Sequence, residues 1–335
     1  MDFYQNLFAS SSPNQIEEAL EATPLVVTEE MNLELVAPFE KAEVDMALKH
    51  MDLLKAPGPD GMPPLFFQQF WPTIGDEVAE AILTCLNMGS IPPSINRTFI
   101  TLIPKVKSPI RVSDYCPIAL CNILYKLISK VLANRLKKIL PCIIFESQSA
   151  FQSSKAITDN ILVAFETLHH MKNQKSKKGG FLVMKLDMSK AYDRVEWIYL
   201  VRIMEKLGFC GKWVSFVLEC ISIVSYSILV NGEPRGDIRP SRGLRQGDPL
   251  SLYLFLLCSE GLNKMLQKAT ADDGIRGFSL CKRGPEISHF FFADDSLLFC
   301  RASLSDLQVI QNILSLYEKA SSQKLNRKKT TNFFQ

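Results

Sequence analysis

Phe290-Phe291-Phe292-Ala293-Asp294-Asp295-Ser296-Leu297-Leu298-Phe299 sets two adjacent carboxylates between two apolar runs. Large aromatic and aliphatic side chains favour strands, and Ala-Asp-Asp-Ser is small and polar enough to be the tight connection between them. The stretch reads as a β-hairpin that aims two negative charges at one spot. Such repulsion is costly unless a divalent cation is held there, because hard cations take carboxylate oxygens. A solvated Asp-Asp turn is the plainer reading of a lone pair of acids. A second apolar run, Phe181-Leu182-Val183-Met184-Lys185-Leu186-Asp187, shifts the balance by ending on a third acid. Three acids on two neighbouring strands could hold two Mg2+ ions, with Mn2+ as the alternative, and that arrangement serves in-line phosphoryl transfer by positioning and charge alone.

Three segments occur in the order and at the spacing found in reverse transcriptases: Leu186-Asp187-Met188-Ser189-Lys190-Ala191-Tyr192-Asp193, Gly243-Leu244-Arg245-Gln246-Gly247-Asp248-Pro249-Leu250-Ser251 and Phe292-Ala293-Asp294-Asp295. The chain resembles the LINE-type non-LTR retrotransposon enzymes, most of all the plant ones. Lys55-Ala56-Pro57-Gly58-Pro59-Asp60-Gly61, Asn122 to Leu140, Gln148-Ser149-Ala150-Phe151 and Ile157-Thr158-Asp159-Asn160 extend the likeness over nearly the whole length. Each tetrapeptide alone is weak, whereas the ordered set is specific. The resemblance implies RNA-directed DNA synthesis, with an RNA template, a DNA primer and dNTPs as partners, Mg2+ as cofactor, and Asp187, Asp294 and Asp295 as catalytic metal ligands.

Composition sets the outer limits. With 335 residues, 47% hydrophobic and 22% charged, the chain has enough apolar material for two lobes sharing one core, which excludes a disordered protein. A net charge of +3 is too small to argue for a polyanionic partner by itself, so that case rests on where the cations lie. The nine cysteines form no CxxC pair, which argues against zinc and for reduced thiols in an intracellular protein, nucleus or cytoplasm left open. Met1-Asp2-Phe3-Tyr4 is no secretory leader, and the longest apolar run, Leu250 to Cys258, is too short to span a bilayer, so no membrane partner is expected. Oligomeric state is not legible.

Several stretches carry site expectations. Lys55 to Gly61 reads as a rigid double turn, since each proline restricts itself and its predecessor while glycine allows positive φ. A structural turn is favoured over a phosphate loop, although the resemblance places similar loops near template or primer. Thr98 to Lys105 is a strand, and Val106 to Ser113 a polar tip with Lys105, Lys107 and Arg111 around it. By resemblance this is the fingers hairpin, with Lys105 meeting nucleotide phosphates. Asn122 to Leu140 is helical, with a buried stripe of Leu124, Leu127, Ile128, Val131, Leu132 and Leu136. Its five cations have no acid on the same helix and imply an outer face for a nucleic-acid backbone, with Lys126, Lys130 and Arg135 as contacts. Lys155 is a further such candidate. The resemblance makes Tyr192 a steric gate against ribose, Gln246 a nucleotide contact and Lys329 an aid to departing pyrophosphate. The chain departs from the family at Cys116, where arginine is usual, at Ser153-Ser154-Lys155 in place of Pro-Gly-Arg, and at Leu252 in place of proline.

The expected fold is α+β, a right-hand polymerase with fingers and palm in which an antiparallel palm sheet is backed by helices. Residues 1–94 form an N-terminal helical extension, 95–175 the fingers and 176–335 the palm, the sequence stopping before a thumb. Two rivals stand beside this reading. One is a catalytically degenerate retroelement fragment that only binds nucleic acid. The other is a metal-dependent nuclease or phosphatase using the same carboxylates.

Overall fold

The structure, a computed structural model, describes residues 1–150, 157–173, 180–280, 284, 286–327 and 329–334. Helices α1 (Asp2–Phe8), α2 (Ile16–Ala19), α3 (Glu29–Val36), α4 (Lys41–Lys49) and α5 (Pro64–Met88) precede strands β1 (Arg97–Pro104) and β2 (Tyr115–Cys121). Then follow α6 (Ile123–Ile143), α7 (Ile157–Asn173), β3 (Phe181–Asp187), α8 (Trp197–Leu207), α9 (Gly211–Ser222), β4 (Ser225–Val230) and β5 (Glu233–Ile238). The last part holds α10 (Pro249–Ala271), β6 (Phe278–Ser279), β7 (Glu286–Ile287), β8 (His289–Phe292), β9 (Asp295–Arg301), α11 (Leu304–Ser321) and β10 (Thr331–Phe334). Pro249 opens α10, where its missing N–H is no loss, and the Asp248 side chain caps the helix by accepting from the Leu250 N–H.

One sheet has the order β10-β3-β9-β8, antiparallel throughout. This is the palm sheet expected from the two acid-bearing apolar runs. The other has the order β2-β1-β4-β5, with β1 antiparallel to β2 but parallel to β4. It therefore draws strands from both sides of the expected 175/176 boundary. The β4–β5 connection is the two-residue Asn231-Gly232 turn, with φ of 52° and 85°, as a type I′ hairpin requires. A continuous hydrophobic cluster runs from Tyr4 and Leu7 of α1 through α6 and α10 to Ala320 of α11. The N-terminal helices thus share the core of the rest.

Helix α6 buries its apolar stripe as its periodicity requires, but two of its cations turn inward, which corrects the expectation of an outward-facing basic surface. Arg135 is 7% exposed; its Nε and Nη2 donate to the two carboxylate oxygens of Glu43 at 2.8 and 2.7 Å. The same guanidinium donates to the carbonyls of Leu35 and Pro38 at 3.0 and 2.9 Å and lies 3.6 Å from the centre of the Phe39 ring. Lys126, 4% exposed, donates from Nζ to the Ala56 carbonyl at 2.9 Å. The neutralising groups come from a segment distant in sequence, so they are invisible on the helix itself. Lys130 is half-buried, Lys137 and Lys138 are exposed, and Lys155 lies outside the described residues, as do Ser153 and Ser154.

The Lys55 to Gly61 loop is the other contact of this helix. A side chain at Gly58 would meet the Asn122 backbone nitrogen at 2.4 Å, and the Asp60 N–H donates to the Asn122 side-chain oxygen at 3.1 Å. The loop is a structural clasp on the start of α6.

Candidate active site

The hairpin that bears the acids is tighter than its sequence suggests. Phe292 pairs with Asp295, so the connection is the two residues Ala293 and Asp294 rather than the expected Ala-Asp-Asp-Ser, and Asp295 is the first residue of β9. Ala293 adopts φ of 52°, and its N–H donates to the Gln148 side chain at 3.2 Å. Gln148 belongs to a short segment that bridges to Phe291 at the edge of the sheet, where the Phe291 N–H donates to the Ser147 carbonyl at 2.9 Å. A side chain far away in sequence thereby holds the acidic turn in place.

On the neighbouring strand Asp187 lies opposite Asp295. Asn326 fixes Asp187 twice: its side-chain nitrogen donates to Oδ2 at 2.9 Å and its backbone N–H donates to the Asp187 carbonyl at 2.8 Å. Lys329 places its amine 4.0 Å from Asp187 Oδ1. Asp187 and Asp294 both line a cleft of about 1120 Å³, together with Lys105, Tyr192, Gln246 and Lys329. Burial pushes the Asp294 carboxyl up, and the nearby charges of Asp295 and Asp187 push it in the same direction.

Asp295 does not join them in lining the cleft. Its Oδ1 is 3.3 Å from Lys185 Nζ, in a pair with both side chains about half exposed. Among the described residues, no three His, Cys, Asp or Glu side chains converge as a metal-ligand set. The expected triad is thus assembled as a converging pair, Asp187 and Asp294, with the third acid one cross-strand step away and held by lysine. An exposed pair of this kind is worth only about 0–1 kcal/mol, little compared with a divalent ion as a competing partner. Asp187 and Asp294 fit such an ion, since both offer hard oxygen donors and the Asp294 carboxyl, raised by burial and then by its acidic neighbours, is one a positive charge would relieve.

Tyr192 stacks on Phe255 with ring centres 4.7 Å apart, its hydroxyl shifted upward first by burial and then by Asp294. Gln246 donates from Nε2 to Asp193 Oδ1 at 3.2 Å, and its Oε1 accepts from the Cys116 thiol at 3.0 Å. The cleft is closed on another side by Phe3, Asn6 and Leu7 of α1. That helix is fastened by Ser10, whose Oγ donates to Glu196 at 2.6 Å, and by Arg242, which donates to the Leu7 carbonyl at 2.9 Å and pairs with Glu196 at 3.3 Å. Sequence reading attributed no site role to α1, Gln148 or Asn326.

Residues 103–335 match the family model described as reverse transcriptase (RNA-dependent DNA polymerase). The chain belongs to the reverse transcriptase family. The transposon TX1 uncharacterized 149 kDa protein of Xenopus laevis is 29% identical over 333 residues, 98% of this chain and 24% of that protein. The retrovirus-related Pol polyprotein of a type-2 retrotransposable element of Drosophila melanogaster is 27% identical over 269 residues, 80% of this chain and 24% of that one. An uncharacterized mitochondrial protein of Arabidopsis thaliana is 47% identical over 68 residues, 20% of this chain and 56% of that one. This reverse transcriptase domain is of the non-LTR retrotransposon kind, and it spans about a quarter of the length of the first two relatives. No helix among the described residues is long and apolar enough to cross a membrane.

Proposed function

We propose that this domain adds deoxynucleotides to a DNA primer 3′ end on an RNA template, with residues 95–175 acting as fingers and 176–335 as palm. The observation that carries the reading is the convergence of Asp187 and Asp294 on one cleft with Lys105, Tyr192, Gln246 and Lys329. Asp187 and Asp294 would hold the divalent ions, taken to be Mg2+ with Mn2+ as substitute, and Asp295 would join them on leaving Lys185. When bound, such ions supply a primer hydroxyl of lowered pKa and neutralise charge developing on the transferred phosphoryl group.

The chain's own residues bind and orient. Asn326 keeps Asp187 aimed into the cleft, and Gln148 does the same for the Asp294 turn. Tyr192, backed by Phe255, presents a rigid ring that excludes a ribose 2′-hydroxyl. The Gln246 amide is oriented by Asp193, which fixes which end of it can meet a nucleotide. Lys329 lies beside Asp187, where a proton can pass to departing pyrophosphate. The assignment to the plant LINE-type branch rests on the ordered motif set alone, the relatives that cover most of the chain being animal ones, and the scattered thiols support an intracellular setting.

The test is primer extension on a homopolymer RNA template with Mg2+. The wild type extends, and Asp294→Asn abolishes extension while leaving far-UV circular dichroism and template affinity unchanged; extension retained by the variant refutes the assignment. A second reading, a domain that binds nucleic acid without copying it, is favoured by Cys116, which puts a neutral thiol on the cleft wall. Template binding without extension by the wild type would decide for it.

A further inference from the structure

Behind the acidic hairpin lies a buried chain of polar side chains. Glu260 and Asn263 are on α10 and His289 opens β8, with 2%, 1% and 4% of their surface exposed. The Asn263 side-chain nitrogen donates to Glu260 Oε1 at 2.6 Å, so its oxygen is turned toward His289 Nε2, also at 2.6 Å. An amide oxygen needs a donor, so the proton of the neutral imidazole sits on Nε2, and Nδ1 accepts from the Ser288 hydroxyl at 2.9 Å. The other oxygen of Glu260 accepts from the Phe145 N–H at 3.4 Å. Lys264 completes that end, 3.4 Å from Glu260 Oε1 and 5.6 Å from the centre of the Phe145 ring.

Both ends of this chain reach the same hairpin. His289 stands at the start of its first strand, and Phe145 begins the short segment 145–150 that holds its tip. Within that segment the Phe145 carbonyl accepts from the Gln148 N–H at 3.1 Å, and Gln148 Oε1 accepts from the Ala293 N–H next to Asp294. The segment also exchanges bonds with Phe291, whose N–H donates to Ser147 at 2.9 Å and whose carbonyl accepts from Ser149 at 3.3 Å. Residues 145–150 are therefore a brace, fixed to α10 through Glu260 and to the hairpin through Gln148. Burial pushes the Glu260 carboxyl up, while Lys264, Asn263 and the Phe145 N–H push back. Apolar side chains of the same size would fill this space at less cost. What the polar chain adds is direction, because each bond fixes an angle as well as a distance.

We propose that Glu260, Asn263 and His289 are positioning residues for Asp294: they set the brace at residues 145–150, whose Gln148 holds the acidic turn where a divalent ion can use it. The proposal rests on the reading of Asp187 and Asp294 as metal ligands, but the hold on the turn can be measured with no metal present. Glu260 is the residue that gives the chain its polarity. Its charge turns the Asn263 amide, the amide selects the His289 tautomer, and its second oxygen seats Phe145. A network serving only to hold α10 on the sheet would be indifferent to which atoms donate.

Glu260→Gln keeps the shape but turns one acceptor into a donor, so either Asn263 or Phe145 loses its bond. His289→Phe keeps a ring and removes the donor to Asn263, whereas His289→Gln can still donate from its amide. In the metal-free whole chain, amide hydrogen exchange at residues 290–296 should speed up about tenfold in Glu260→Gln and His289→Phe, with α9 unchanged and His289→Gln close to the wild type. Mn2+ affinity, titrated calorimetrically, should weaken by about tenfold in the same two variants, as is usual when the groups behind a metal ligand are lost. In extension assays they should lower kcat and leave KM for dNTP unchanged, since Lys105, Tyr192 and Gln246 are untouched. Exchange at 290–296 equal to the wild type in Glu260→Gln overturns the proposal, and so does acceleration spread evenly over the chain. If the two variants loosen the hairpin while the wild type itself binds no Mn2+, the brace stands and the metal reading falls instead.

Discussion

Replacing Arg135 by methionine separates the two roles open to a cation on α6. In the structure the guanidinium is buried, closes a two-pronged bond on Glu43, feeds carbonyls at the end of α3 and beyond, and stacks on Phe39. Removing one partner of a dry ion pair costs about 3–5 kcal/mol, because the other charge stays behind unpaired. Glu43 keeps 30% of its side chain exposed, so its orphaned charge remains partly hydrated and the lower end of that range, about 3 kcal/mol, is expected. Urea unfolding followed by circular dichroism reads the loss, and Glu43→Gln combined with Arg135→Met should recover part of it. There is also a pH signature. Burial raises the Glu43 carboxyl, but the bonds from Arg135 and the Glu40 N–H outweigh it and hold the group below its ordinary 4.5. A carboxyl depressed by folding contributes stability above its unfolded pKa and loses it as pH falls through the folded value, so the gap between wild type and variant should close under strong acid. RNA affinity of the folded variant should match the wild type. An unchanged unfolding midpoint together with weakened RNA binding would refute the structural role and restore Arg135 to the nucleic-acid surface.

Gly58→Ala would place a methyl 2.4 Å from the Asn122 nitrogen and 2.5 Å from the Cys121 carbonyl carbon, neither of which can swing aside, so a loss of about 1–3 kcal/mol should appear in thermal unfolding. Burial pushes the His289 imidazole down to about 4, between Ser288 and an Asn263 oxygen 2.6 Å away. A base with a depressed folded pKa is fully compatible with folding above its unfolded 6.5, so stability should fall between pH 6.5 and 4 by on the order of 3 kcal/mol, and His289→Gln should flatten that limb of the unfolding curve. Tyr192→Ala should raise ribonucleotide incorporation at least about tenfold relative to deoxynucleotide, read as a ratio of kcat/KM values, by removing the ring braced on Phe255; an unaltered ratio would remove the gate.

Local pattern made the scaffold legible. The apolar arms around Asp294, the strand ending at Asp187 and the stripe of α6 are set by neighbours in sequence, and each appears where its periodicity places it. The turn length was not legible, because Ser296 is polar by type yet pairs inside the ladder with Leu186 and Phe291. Nor were the fates of Lys126 and Arg135 readable, since the carbonyls and the carboxylate that neutralise them are brought by tertiary packing alone. The same holds for Gln148 and Asn326, whose importance lies in what they hold across the sheet. Asp295 shows the limit of spacing: a lysine two residues before Asp187 on β3 can claim an acid that sequence order assigns to the metal site.

The parallel pairing of Arg97 to Ile100 with Ser225 to Ile228 reaches far beyond the cleft. During synthesis the hairpin of β1 and β2 emerges long before its third strand, so one edge of β1 stays open to stray pairing until more than a hundred further residues have been made. A ribosome paused in that interval would present a half-built sheet to chaperones and to other nascent copies. Aggregation of this protein should therefore be governed by how fast the stretch between those two strands is translated, more than by the stability of the finished fold.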